Sequence, residues 1–169
     1  VGIRTGSRAR QKCWPEKQQL RTHCKILLIC NEFYVKMSAS GHSTGYDDVV
    51  QKKGQMQITY HGHACFKLKG KRGSVVTDPF DDKALGVPLS RLSAEIVTVS
   101  HQHGDHNAIN KVKGTEKRDN PFVIDYAGEY EVGGISVFGT KTYHDQAQGA
   151  ERGSNIVFKI LIDGLAVCH

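Results

Sequence analysis

Long apolar runs are missing from this chain. None approaches the roughly 20 residues that a bilayer-crossing helix needs. The tightest early cluster, residues 26–30, falls far short of that and has no signal-peptide cleavage pattern behind it. No short-period repeat or low-complexity tract occurs, so solenoid and fibrous architectures are excluded. Cysteines number five, at positions 13, 24, 30, 65 and 168; the odd count and irregular spacing exclude a disulfide framework. A reducing cytoplasm is the expected compartment. The set Cys13, His23, Cys24, Cys30 and His42 lacks the close paired spacing of a structural zinc site.

Excess charge is also missing from most of the chain. Residues 1–55 hold ten Lys/Arg against four Asp/Glu, whereas residues 56–169 hold thirteen of each. The whole net charge of +6 therefore belongs to the first third. A basic segment can bind nucleic acid. Here the few aromatics, such as Trp14 and the Phe33–Tyr34 pair, do not interleave with the Lys and Arg, so stacking is not expected. Residues 1–55 carry no sustained period and read as a basic, disordered extension. The composition changes at Met56, where residues 56–169 begin a separate domain.

What the chain does have is histidine in one place. Residues 100–107 read Ser-His-Gln-His-Gly-Asp-His-Asn, directly after the β-branched apolar run 94–99. That run predicts a short buried strand. Alternation lets His101 and His103 point the same way, and Gly104 allows a turn that brings Asp105 and His106 round to face them. Neutral imidazole is a preferred donor for zinc, and a carboxylate adds charge for a second ion. A solvated His-rich loop is the bland alternative, but this density of ligand types points to a metal site.

The rest of the domain is patterned as strands and tight turns. Residues 57–60 and 64–69 alternate as half-buried strands, with His61 and His63 either side of Gly62 between them. Spacing alone gives those two histidines a supporting or substrate-side role. A strand over 74–77 stops at Asp78-Pro79, where the carboxylate either caps a turn or supports the metal site. Residues 108–113 predict a short helix with Asn107 as N-cap. Gly133-Gly134 and Asp163-Gly164 predict hairpins. The strand between them ends at His144, which becomes the natural third ligand once the first cluster is read as metal-binding.

Several stretches together resemble the metallo-β-lactamase superfamily, and especially its stand-alone hydrolases near the L-ascorbate-6-phosphate lactonase group. They are residues 58–66 (ITYHGHACF), 77–80 (TDPF), 101–107 (HQHGDHN), 128–132 (GEYEV) and 142–145 (TYHD), with Glu151-Arg152-Gly153 behind the last. The resemblance covers 56–169 and none of 1–55. It implies an α+β fold, the αββα sandwich. About the first half is expected here, as a hairpin-rich mixed sheet with few short helices.

It also implies His101, His103 and His144 as ligands of a first metal, and Asp105 and His106 as ligands of a second and as catalytic residues. Asp78 is implied as the aspartate supporting the site, and His63 as a nearby element with no assigned role. The family's bridging aspartate and final histidine would fall past His169, so a C-terminally truncated fragment of impaired activity is expected. The implied cofactor is Zn2+, as one or two ions, with Mn2+ or Fe2+ as substitutes. The implied reaction is hydrolysis of a small-molecule ester, lactone or phosphoester by metal-bound hydroxide. A non-catalytic metal-binding protein is the alternative, and a nucleic-acid-processing member ranks last. No membrane association is expected; a homo-oligomer remains compatible with the sequence.

Overall fold

The computed structural model describes residues 56–169 and, as backbone, two short strands before them, β1 (Leu27–Ile29) and β2 (Lys36–Ala39). The disordered extension expected over residues 1–55 otherwise lies outside the described residues.

A six-stranded sheet is built from β2, β3 (Gln57–Gly62), β4 (Cys65–Lys69), β5 (Ser74–Thr77), β7 (Ile96–Thr98) and β9 (Phe122–Ile124). These six lie in that spatial order. Neighbours β3, β4 and β5 are antiparallel, while β5, β7 and β9 run parallel. A five-stranded antiparallel sheet has the order β1, β13 (Leu165–Cys168), β12 (Ser154–Ile162), β11 (Ile135–Tyr143) and β10 (Gly128–Val132). A parallel pair, β6 (Leu92–Ser93) with β8 (Val112–Lys113), stands apart.

The strands thus form two main sheets rather than the one mixed sheet expected, and burial explains why. Strand β12 alternates, turning Ile156, Phe158, Ile160 and Ile162 inward and Val157 and Lys159 outward. Those inward residues pack with Val137 and Val167 of their own sheet and with Ile58, Phe66, Leu68, Val75 and Ile96 of the other. Neither apolar face could stay in water, so the sheets close on each other. Strands β5 and β7 are buried along their whole length, because the outer face of the six-stranded sheet is covered too. There Cys65, Val76, Val97 and Val99 meet Phe80, Leu92 and Val112.

Helix is scarce. A single turn, α1 (Asp82–Leu85), is capped by Asp81, whose side chain accepts the Lys83 amide at 3.0 Å. The helix expected over 108–113 is corrected to a 3-10 turn, Ile109–Lys111, running straight into β8. Asn107 does not cap it. Its side-chain amide donates instead to Gln102 Oε1 at 3.2 Å, and Val112 is drawn into the outer core. Both hairpin expectations hold: Gly133 and Gly134 join β10 to β11, and Asp163 (φ 50°) and Gly164 (φ 81°) join β12 to β13. Among the described residues, no helix is long and apolar enough to cross a membrane.

One polar clamp closes the sheet at the end away from the histidines. Glu95 Oε2 accepts the Ser74 amide (2.6 Å) and hydroxyl (2.8 Å), and Oε1 accepts the Thr115 hydroxyl (2.8 Å). Burial raises the Glu95 carboxyl, but these hydrogen bonds outweigh it and hold the group below the usual carboxylate range.

Candidate metal centre

The chemistry-bearing residues come from both sheets and meet at one end of the sandwich. Asp78 follows β5, His101 and His103 follow β7, and His63 lies in the turn between β3 and β4. His144 follows β11 of the opposite sheet. A backbone hydrogen bond between the sheets, from the Ile156 amide to the Ser100 carbonyl at 2.8 Å, holds the β7 loop against β12. The Asp78 amide donates to the Thr98 carbonyl at 2.9 Å, fixing the ends of β5 and β7 in step.

His101, His103 and His144 each bring a ring nitrogen into one group whose atoms lie within 4.8 Å of one another. The ring centroids of His101 lie 4.6 Å from those of His103 and 4.4 Å from those of His144. A chain of hydrogen bonds sets the His101 tautomer. Ser100 Oγ is 2.5 Å from Asp78 Oδ2 and 2.9 Å from His101 Nδ1. A carboxylate only accepts, so the single hydroxyl proton goes to Asp78. Nδ1–H of His101 must then donate to Ser100, leaving a lone pair on Nε2. That Nε2 atom is buried and has no hydrogen-bond partner. A buried acceptor without a partner is costly unless something electropositive meets it. Burial first, and then His106 and His144 beside it, push the His101 imidazole down to about 4, so it is neutral at physiological pH. The three-imidazole set therefore fits a borderline divalent cation such as zinc.

His106 is oriented by the same aspartate, with Nδ1 2.8 Å from Asp78 Oδ2. Asp78 also accepts the Ser100 amide at Oδ1, 2.7 Å away. The Asp78 carboxylate is buried, and its oxygens are engaged by Ser100 and His106. Asp105 lies with its Oδ2 3.7 Å from His106 Nε2 and 3.2 Å from His63 Nε2. Burial raises its carboxyl, but its own backbone amide and then His106, His63 and His101 hold it below the usual range.

His61 takes no part. It lies with Nδ1 3.2 Å from Ser90 Oγ and belongs to none of the candidate ligand groups.

A cavity of about 710 Å3 opens over the cluster. Besides the histidines it is lined by Tyr143, Arg152, Asn155 and His169, none of which the sequence marked as site residues. Arg152 is presented by a loop that Asp145 organises. Asp145 accepts the amides of Gly149 (2.9 Å), Glu151 (3.2 Å) and Arg152 (2.7 Å). The Arg152 guanidinium has no ion-pair partner among the described residues. His169 places Nε2 2.9 Å from the Ala64 carbonyl, which makes Nε2 the donor and leaves Nδ1 buried without a partner. The signal for Ser100 was its place directly before His101. For Arg152 and His169 only the folded chain brings them to the cavity.

A sequence profile described as "Beta-lactamase superfamily domain" matches residues 57–169. A crystal structure from Thermotoga maritima, described as a Zn-dependent hydrolase of the metallo-β-lactamase superfamily, is 42% identical. It superposes with a TM-score of 0.52 over 68% of this chain and 48% of that one. The chain belongs to the metallo-β-lactamase superfamily. Superfamily relatives named UPF0173 metal-dependent hydrolase include one from Methanoculleus marisnigri, 33% identical over 134 residues, and one from Thermoplasma volcanium, 29% identical over 136 residues. The aligned part is 68% of this chain but only 57% and 59% of those relatives, so the chain spans little more than half their length.

Proposed function

We propose that this chain carries the metal-binding part of a hydrolase acting on a small ester, lactone or phosphoester. The observation that carries the reading is the buried, unpartnered Nε2 of His101 among three convergent imidazoles beneath an open cavity. A divalent ion bound by His101, His103 and His144 supplies Lewis acidity and lowers the pKa of water from 15.7 toward ~7. The protein's own part is to hold His101 neutral and to orient the imidazoles. Ser100 fixes His101, Asp78 fixes His106, and the joined sheets keep His144 opposite them. Asp105, ionised and reaching into the cavity, is placed to accept a proton or orient a water. Arg152, on its stiffened loop at the rim, is the group we assign to an anionic part of the substrate.

The test is turnover of lactone, carboxylic ester and phosphodiester panels by the metal-free chain with Zn2+ or Mn2+ added. Activity that appears with metal, disappears with chelator and is lost in His103→Ala supports the reading. Metal bound at the three histidines with no turnover of any class would sink it and leave a non-catalytic metal-binding protein.

A further inference from the structure

We propose that Tyr143 seats a planar, unsaturated ring of the substrate, beside the anionic part assigned to Arg152. The inference rests on the reading of the cavity as a hydrolase site. Tyr143 is 52% exposed and lines the cavity over the histidines, directly before His144. It is one of five large apolar side chains left exposed among the described residues, and Val157, another of them, lines the same cavity. Water meets these surfaces at a cost that the apolar face of a ligand would relieve. A flat ring also pairs with Tyr143 through its quadrupole, offset or edge to face, which adds a selectivity that burial alone does not give.

The Tyr143 ring is held in place. Strand β11 ends at Tyr143, and the loop that Asp145 organises turns back against it. Gly149 of that loop has φ 85°, and a Cβ there would meet Tyr143 Cδ1 at 3.0 Å. Glycine therefore lets the backbone lie close against the ring. The His144 amide donates to the Gly153 carbonyl at 3.1 Å, closing the loop on its own base. One braced loop thus presents Tyr143 at its start and Arg152 near its end. Groups fixed in this way lose little conformational freedom when a ligand binds. The substrate they fit carries a planar ring and an anionic group on one molecule, as an aryl phosphoester does.

The 169-residue chain with stoichiometric Zn2+ is titrated by calorimetry with phenylphosphonate, cyclohexylphosphonate and methylphosphonate. All share the anion; phenyl and cyclohexyl both bury a ring, but only phenyl is flat. Phenylphosphonate should bind about two- to tenfold more tightly than cyclohexylphosphonate, the range that ring pairing adds beyond burial. Tyr143→Ala should abolish that difference and leave methylphosphonate unchanged, whereas Tyr143→Phe should keep it. Equal affinity for the two rings in the unaltered chain would overturn the proposal. So would a preference that survives Tyr143→Ala, or no binding of any phosphonate. Failure of the hydrolase reading looks different: no ester, lactone or phosphodiester is turned over while the preference for phenyl stands. Failure of the Arg152 assignment differs again, since Arg152→Gln would then leave every phosphonate affinity unaltered.

Discussion

Ser100 is bound to Asp78 twice, through its amide to Oδ1 at 2.7 Å and through its hydroxyl to Oδ2 at 2.5 Å. The second bond consumes the hydroxyl proton and so forces His101 to donate from Nδ1. Replacing Ser100 with Ala removes that acceptor and frees the His101 ring to rotate. Zn2+ affinity of the first site should fall about 10–100-fold, the usual cost of losing an orienting partner. Competition with a chromophoric chelator measures it, and an unchanged affinity would show that packing alone orients His101.

Asp78→Asn tests the carboxylate itself. Asn fits the left-handed backbone at this position, but its amide group sets a donor against Ser100 or His106. Zn2+ binding by the three histidines should weaken, because Asp78 holds the Ser100 hydroxyl that fixes His101, while the circular dichroism spectrum stays that of the parent. Unchanged affinity would contradict the supporting role.

The three imidazoles of the first site are expected to act as a set. His103→Ala and His144→Ala should each abolish tight Zn2+ binding, because two ligands hold a labile ion poorly. Their elements lie in different sheets, so equal loss from both would show that the site bridges the sandwich. Tight binding that survives His144→Ala would confine the site to the 101–106 loop.

Acid should loosen the Glu95 clamp. Its carboxyl sits below its ordinary value of 4.5 when folded, so the unfolded chain takes up the proton first as pH falls. The stability that Glu95 contributes is present above about pH 4.5 and is lost as pH falls through the lower folded value. Glu95→Gln should lower the melting temperature at pH 7 and flatten the fall below pH 4.5. Parallel melting curves for the two proteins across that range would count against it.

Phe158 is fully buried between the sheets, packed with residues of both. Phe158→Ala should cost about 3–5 kcal/mol, through lost burial and the cavity left behind. Urea unfolding measures it, and a cost under about 1 kcal/mol would mean that the sheets close up over the gap.

The sequence by itself determined most of what depends on neighbours in the chain. Alternation marked the strands, paired turn residues at Gly133-Gly134 and Asp163-Gly164 fixed the hairpins, and the spacing from His101 to His106 marked a candidate metal site. Local patterns failed at residues 108–113, where helix propensity yielded to burial of Val112 and pairing of β8 with β6. Only the tertiary structure decided what depends on distant segments meeting. His63 precedes His106 by 43 residues, and His144 follows His103 by 41, so no local period could record either approach. Two apolar sheet faces had to close before β11 could bring His144 opposite the β7 loop. The same closure buried His101 Nε2 and left it without a hydrogen-bond partner.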